Sequence, residues 1–197
     1  MAEAAVSIRT ARRAREGKAA SRASILEAAR RVASRDGARD LSLRGVAAEA
    51  GFAPAALYGY FRNKDELLLA LAADDLTALA RAMREAGGVN TGLAGVSAAA
   101  LSLLKGAETM AAASAALPGA SGGDAERLFN GRLIAALKAL SDASGLPADS
   151  RESQCDIVLV ASALAGLALL ARSGRLSALG FTPEEILQRL DGRFATP

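Results

Sequence analysis

The sequence predicts an all-α protein, and three observations carry that prediction. Hydrophobic residues make up 51% of the 197 positions, yet aromatic residues make up only 4%. Alanine, leucine and arginine are abundant, and these residues favour helices. Apolar positions recur every three or four residues between Gly and Pro breaks. The chain is long enough for one large domain, or for a small N-terminal module joined to a larger one.

Charge is distributed unevenly along the chain. Residues 1–65 contain 13 Lys and Arg against 7 Asp and Glu, a net charge of +6, whereas residues 66–197 contain 11 against 14, a net charge of −3. A basic N-terminal third indicates a polyanionic partner, most simply nucleic acid. A solvated arginine-rich surface would give the same counts, so charge alone leaves both interpretations open.

Composition argues against catalysis. The chain has no histidine and a single cysteine, Cys155. An internal disulfide is therefore excluded, and a zinc site with thiolate or imidazole ligands is disfavoured. The usual general base is missing, and no glycine-rich phosphate loop occurs. We expect no enzymatic activity, no metal, no cofactor and a cytoplasmic location.

The longest apolar run extends from Ile157 to Ala171. A helix that spans a bilayer needs roughly 20 apolar residues, so this run predicts a buried helix. The basic N-terminus is not followed by an uninterrupted apolar segment, and a secretory signal peptide is not predicted. We expect a soluble protein without a membrane partner.

The first helix is predicted to begin at Ser21, after a flexible basic arm at residues 1–20. Ser24 and Glu27 also fit a capping box within this segment, and Gly37 supplies a left-handed stop. The apolar face that predicts the helix consists of Ile25, Leu26, Ala29, Val32 and Ala33.

Two short helices and a long one follow. Ser42 is predicted to cap a second helix that ends at Gly51. Pro54 fits the first turn of a third, in which Leu57 and Phe61 lie on the buried side. Asn63 is predicted to cap a fourth helix that ends at Gly87-Gly88. Further helices are predicted near residues 93–114, 124–143, 150–174 and 183–193.

The two short helices, joined at Gly51-Phe52-Ala53, form the layout of a helix-turn-helix motif at about residues 42–61. Gly51 adopts the positive φ that a tight turn between helices requires. In such motifs the second helix lies in the major groove of DNA, so residues 54–60 are the predicted reading helix. The sequence therefore predicts an N-terminal tri-helical helix-turn-helix module, at residues 21–66.

The spaced motifs Ile25-Leu26-Glu27-Ala28-Ala29, Ala50-Gly51-Phe52 and Leu57-Tyr58-Gly59-Tyr60-Phe61-Arg62-Asn63-Lys64-Asp65-Glu66-Leu67 resemble the signature of the TetR/AcrR family of transcriptional regulators. The resemblance covers residues 22–71. It implies a homodimer that binds a palindromic operator in double-stranded DNA. It also implies that residues 67–197 form a C-terminal helical ligand-binding and dimerisation domain for a small-molecule effector.

The resemblance assigns DNA-binding roles to individual residues. Tyr58 and Lys64 match positions that contact backbone phosphates, and Tyr60 matches a position that touches the backbone. Ser42 matches a position that contacts phosphate while capping its helix, and Arg44 matches one from which a side chain reaches a base edge, where Arg suits guanine.

The reading helix departs from the family pattern in having few hydrogen-bond donors. Ala53 replaces the usual Ser or Thr cap, and the next three residues are Pro54, Ala55 and Ala56. Ala55 or Ala56 is expected to pack against a thymine methyl, with Arg44 and DNA shape supplying much of the discrimination. The basic arm would add phosphate or minor-groove contacts through Arg9, Arg12, Arg13, Arg15, Lys18 and Arg22. Alternatively, Tyr58 and Tyr60 only pack at the junction of the third and fourth helices, Lys64 is only a solvated residue at a helix start, and the arm makes no contact with DNA.

The C-terminal half is expected to contain the effector pocket and the dimer interface. The predicted lining of an apolar effector pocket is Met83, Leu101, Leu104, Met110, Phe129 and Leu133, although ordinary core packing would give the same pattern. Leu128 to Leu140 and Ile157 to Leu170 are the predicted dimer helices. A helix buried by its own chain would look the same.

Together these patterns predict a sequence-specific DNA-binding repressor that a small apolar or amphipathic effector releases from its operator. An activator, a ligand-independent DNA-binding protein and a small-molecule carrier are the alternatives.

Overall fold

The computed structural model describes residues 2–87, 93, 96, 97, 101, 109, 112, 113, 115 and 123–194, with side chains from residue 16 onward. Every regular element among them is a helix, which confirms the predicted all-α class. The helices are α1 (Ala2–Asp36), α2 (Leu43–Ala50), α3 (Pro54–Leu57), α4 (Lys64–Gly87), α5 (Asp124–Ser144), α6 (Arg151–Arg172), α7 (Arg175–Ala178) and α8 (Pro183–Phe194). The helix predicted near 93–114 lies largely outside the described residues, and the short α7 was not predicted.

The predicted start of the first helix was wrong. α1 begins at Ala2, so residues 2–20 continue the helix instead of forming an irregular arm. The Ser21 hydroxyl donates to the Gly17 carbonyl 3.0 Å away, as a serine inside a helix does. Glu27 pairs with Arg30 at 2.6 Å and closes no capping box. The physical reason is propensity, because a segment rich in Ala, Arg and Glu is helical without an apolar face.

The N-terminal helices share one core. Ile25 and Ala29 of α1, Val46 of α2, Leu57 of α3 and Phe61 after it are all buried. The predicted stop at Gly37 is confirmed, because its φ is 89°. α1 packs against both α2 and α4, so the turn between α2 and α3 is held on a fixed scaffold.

α4 connects this core to the C-terminal helices. Its residues 67–73 are buried without interruption, and further along it packs against α5. At its end, a Cβ on Gly87 would lie 2.6 Å from the Cα of Ala143. Only glycine permits this approach, so the end of α4 is fixed against the end of α5.

α6 is not buried as predicted. Ile157, Val160 and Leu164 face the core, but Val158 is 51% exposed and Leu159 58% exposed. By length and mean hydropathy (2.0) α6 also meets the criteria for a membrane-spanning helix. The apolar run correctly predicted that one face of α6 is buried. It did not indicate that the other face of α6 is exposed in a single chain.

Candidate nucleic-acid interface

The α2–turn–α3 unit is built as predicted. The Ser42 side chain accepts a hydrogen bond from the Gly45 backbone N–H at 3.1 Å and so caps α2. Gly51 ends α2 with φ 72°, and the Phe52 N–H donates to the Ala47 carbonyl at 2.9 Å. This left-handed C-cap sets the direction in which the chain leaves α2.

α3 is shorter than the predicted reading helix. It covers Pro54–Leu57, and residues 58–60 form a turn. Ala53 provides no side-chain cap for the start of α3. At its other end the N–H groups of Gly59 and Tyr60 donate to carbonyls three residues back, at 3.1 and 2.9 Å, so the backbone tightens into a turn at a glycine, which is a poor helix former. Pro54, Ala55 and Ala56 are exposed, and they present a smooth, donor-poor surface. Arg44, the second residue of α2, is also exposed.

The two tyrosines have different surroundings. Tyr58 is 55% exposed and its hydroxyl is available to a ligand at the surface. Tyr60 is half-buried, with its ring edge-on to Phe52 at a centroid distance of 6.4 Å. Tyr60 therefore packs against the turn between α2 and α3 through its contact with Phe52.

Lys64 is at the start of α4, where its Nζ donates to the backbone carbonyl of Arg39. This bond ties α4 to the loop between α1 and α2. Asn63 caps α4 as predicted, because its Oδ1 accepts from the Glu66 N–H at 2.8 Å. The Glu66 carboxylate accepts from the Arg62 N–H at 2.7 Å, so a second side chain satisfies a backbone donor where the chain enters α4.

Glu49 joins α1 to α2 by forming ion pairs with two arginines of α1. Its carboxylate lies 2.8 Å from Arg31 and 3.2 Å from Arg35. Hydrogen bonds from these guanidinium groups, that from Arg31 first, lower the pKa of Glu49 below its usual value. Arg35 also pairs with Asp36 at 3.0 Å, so Glu49 and Asp36 together compensate the positive charges of Arg31 and Arg35 within the module.

Arg30 joins α1 to α4. Its guanidinium lies 2.9 Å from Asp74 and 2.8 Å from Asp75. Burial lowers the pKa of Arg30, but hydrogen bonds to Asp75 and Asp74 outweigh it and the pKa is raised. Burial also raises the pKa of Asp75, and for this group burial outweighs the pairing with Arg30. The sequence analysis missed this network, although Arg30 is a polar residue beside the buried face of α1.

Two cations near the middle of α1 lie over aromatic rings. The Lys18 Nζ is 5.9 Å from the ring centroid of Tyr60. The Arg22 guanidinium carbon is 5.1 Å from the ring centroid of Phe61. Sequence analysis placed both in a basic arm, whereas the structure places them on a helix that contacts the turn after α3. Their spacing of four residues was the signal that could have revealed a shared face. The side chains of Arg9, Arg12, Arg13 and Arg15 lie outside the described residues.

Of the residues predicted to line an effector pocket, some belong to the core, some lie outside the described residues and one lies at the surface. Met83 of α4 and Phe129 of α5 are buried in one apolar core, and Leu101 is packed against that core. Leu104 and Met110 lie outside the described residues. Leu133 is at the surface of α5 with 37% exposure. No cluster of three metal-binding side chains occurs in the described ranges.

The outer surface of α5 and α6 is apolar. Ile134 of α5 is 67% exposed, and it borders a groove of about 710 Å³ with Leu137, Ile157, Val158 and Leu159. Lys138 and Asp142 lie at the same groove, 3.2 Å apart. An exposed apolar surface with a polar margin is typical of a protein–protein contact.

Residues 25–71 match the family described as bacterial regulatory proteins, tetR family. Over 62 residues the chain is 45% identical to the HTH-type nicotine-responsive transcriptional repressor HdnoR of Paenarthrobacter nicotinovorans. This overlap covers 32% of this chain and 32% of that repressor, so the chain matches about a third of the repressor's length.

Solved structures match nearly the whole chain. The crystal structure of regulatory protein SCO4313 has a TM-score of 0.68 at 21% identity and covers 93% of this chain and 98% of its own. A TetR transcriptional regulator from Rhodococcus sp. RHA1 has a TM-score of 0.61 at 21% identity, covering 90% and 97%. FadR from Bacillus subtilis, in complex with stearoyl-CoA, has a TM-score of 0.59 at 20% identity, covering 85% and 96%. These likenesses establish a common fold.

The family match, the identity to a repressor and the shared fold agree with the helix-turn-helix geometry of α2 and α3, and residues 25–71 of the chain are a domain of the type described as bacterial regulatory proteins, tetR family.

Proposed function

We propose that this protein is a transcriptional repressor that binds a palindromic operator as a homodimer and leaves it when a small apolar or amphipathic effector binds. The observation that carries the proposal is the exposed surface of α3, held on a capped helix-turn-helix unit beside Arg44. In this division residues 21–66 bind DNA, and residues 67–197 bind the effector and form the dimer. We expect the protein to act in the cytoplasm and to have no enzymatic activity.

The proposed contacts to DNA are of two kinds: contacts to phosphates position the protein, and contacts to bases read the sequence. The exposed hydroxyl of Tyr58 and the capping Ser42 are suited to backbone phosphates, which fix the register of the protein on the duplex. Lys64 would contact phosphate while it holds the loop at Arg39. Arg44 is suited to guanine, and the methyl groups of Ala55 and Ala56 are suited to a thymine methyl.

Selection of DNA fragments from a random-sequence pool by the purified protein tests this proposal. A bound palindrome with half-sites about one helical turn apart, or a multiple of it, is expected. Failure to enrich any sequence would contradict the function.

On the selected fragment, Arg44→Ala should weaken binding by about 1–3 kcal/mol and relax the specificity at one base position. Tyr58→Phe should weaken binding to all sequences alike. Arg81→Ala, which removes an exposed charge on α4, serves as the control.

The exposed apolar surface of α5 and α6 supports the homodimer. A second copy would cover Ile134, Val158 and Leu159 by the same surface of its own, as an isologous interface requires. Leu133 lies on α5 at that surface rather than in an enclosed pocket, so we propose it as a dimer contact. A dimer also gives the DNA-binding module the second half-site that one reading helix cannot reach.

The core between α4 and α5 supports an effector pocket. Met83 and Phe129 are buried there with Val96. The adjacent Ser97 is 1% exposed, and its hydroxyl has no hydrogen-bond partner among the described residues. A buried hydroxyl without a partner is costly, and a polar group on an amphipathic effector would satisfy it. Leu104 and Met110 remain predicted lining residues.

Stearoyl-CoA and free stearate are suitable first probes, because the related fold of FadR carries stearoyl-CoA. A probe of the right class should raise the thermal midpoint and release the selected DNA. Ser97→Ala should weaken that response and leave DNA affinity unchanged. A probe that binds with no effect on DNA would favour a small-molecule carrier or a ligand-independent DNA-binding protein. A transcription assay distinguishes a repressor from an activator.

A further inference from the structure

The cations of α1 fall into two groups with different partners. Arg30 is paired with carboxylates of α4, whereas Arg31 and Arg35 are paired with Glu49 of α2. Lys18 and Arg22 lie over the rings of Tyr60 and Phe61, and neither forms an ion pair within the part of the chain that the structure describes. A ring attracts a cation without cancelling its charge, so the second group keeps its positive potential.

Because the two rings belong to Tyr60 and Phe61, the positive charges of Lys18 and Arg22 lie beside α3 and the turn that follows it. Tyr60 and Phe61 immediately follow the exposed residues of α3 and its turn. Lys18 and Arg22 are four residues apart and therefore lie on one side of α1. Lys18 is exposed, and Arg22 is half-buried above Phe61. One stretch of α1 thus adjoins the surface that would enter the major groove.

We propose that Lys18 and Arg22 contact DNA phosphates, and that Tyr60 is a positioning residue that holds Lys18 at the interface. The inference rests on the proposed DNA-binding function and extends the interface to residues that precede the family match at 25–71. The π face occupies one side of each cation and leaves N–H donors for phosphate oxygens. Fixing a long side chain before binding also lowers the entropy lost on association.

The charge test uses two double variants with the same change in net charge. Lys18→Gln with Arg22→Gln removes the cations over the rings, whereas Arg31→Gln with Arg35→Gln removes cations that Glu49 and Asp36 already compensate. Binding to a fragment selected by the wild-type protein is titrated against salt. Each phosphate contact contributes about 0.9 to the slope of log affinity on log salt. The first variant should therefore lower the slope by about 1.8, and the control should leave it unchanged.

Equal slopes for the wild type and the first variant would overturn the phosphate contacts. An equal decrease in both double variants would overturn them too, because it would show a long-range effect of net charge. If the wild-type protein selects no fragment, the proposed function itself has failed. Circular dichroism of each variant establishes that α1 is still helical.

The ring test uses two substitutions at Tyr60. Tyr60→Phe keeps the ring and removes the hydroxyl, so wild-type affinity is expected. Tyr60→Leu removes the platform and should weaken binding about two- to fivefold, the amount that an exposed cation–π contact is worth. A loss with Tyr60→Phe would show instead that the hydroxyl touches DNA. Unchanged binding with Tyr60→Leu would show that the ring does not position Lys18.

Discussion

The N-terminal module and the α5–α6 pair place their large apolar side chains differently. In the module, Ile25, Leu57 and Phe61 are almost completely buried within one subunit. In the pair, Ile134 and Leu159 are more than half exposed, although both sequences show helical apolar periodicity. The module is therefore a closed core that carries the proposed DNA-binding surface. The pair leaves an apolar face uncovered within one chain, an unfinished core that the second subunit of the proposed dimer would complete.

The strongest test of this contrast is Ile134→Glu. If a partner covers this position, the substitution buries an unpaired carboxylate at each end of the interface, which costs several kcal/mol. The dimer should dissociate at least about 100-fold more readily, as measured by sedimentation across a range of concentrations. Ala23→Glu places the same charge on exposed α1 and should leave the dimer intact. A wild-type protein that is monomeric at all concentrations would contradict the idea of an unfinished core.

Phe61→Ala tests the closed core. This side chain is buried at the junction of α3 and α4, so its removal should lower the free energy of unfolding by about 3–5 kcal/mol. The loss should not depend on protein concentration, unlike that of Ile134→Glu. Chemical denaturation at two concentrations measures both. A loss below about 1 kcal/mol would show that the module is not closed around Phe61.

Arg30→Met tests how the closed core is joined to α4. It leaves the partly buried carboxylate of Asp75 without its cation, and we expect a loss of about 1–3 kcal/mol, less than for a fully buried pair. The pKa of Asp75 is already above its ordinary value of 3.8, and in the variant it should rise further. A raised carboxyl pKa means that the folded state holds the proton more tightly, so the variant should lose stability as pH rises above about 4.

Asp75→Asn in the Arg30→Met background should remove that pH dependence. Denaturation between pH 4 and pH 7 measures it. If Arg30→Met alone shows the pH profile of the wild type, the Arg30–Asp75 pair does not hold the two helices together.

Gly51→Ala is the smallest expected effect. A Cβ at Gly51 would touch nothing, so only the positive φ of 72° opposes it. The cost should be about 1–2 kcal/mol. Gly192→Ala, inside α8 with equally open surroundings, should be neutral or slightly stabilising. Thermal melts compare the two. Equal effects would mean that the turn after α2 does not constrain the backbone.

Local signals predicted most of the helix boundaries. Ser42, Gly51, Pro54 and Asn63 act where their chemistry indicates, because caps and left-handed stops depend on a few neighbouring residues. The same approach misplaced the start of α1. It required an apolar face, whereas the Ala- and Arg-rich segment is helical by propensity alone.

Sequence by itself determined the helical class, the helix-turn-helix unit and the likeness of residues 25–71 to the tetR family, since these depend on periodicity, capping residues and a spaced motif. Only the tertiary structure decided which charges are compensated, because Arg30 meets Asp75 across 45 positions of the chain. It also decided that Tyr60 packs while Tyr58 is exposed, and that half of α6 faces outward. Periodicity shows that a helix has an apolar face, but packing between distant elements determines what covers that face.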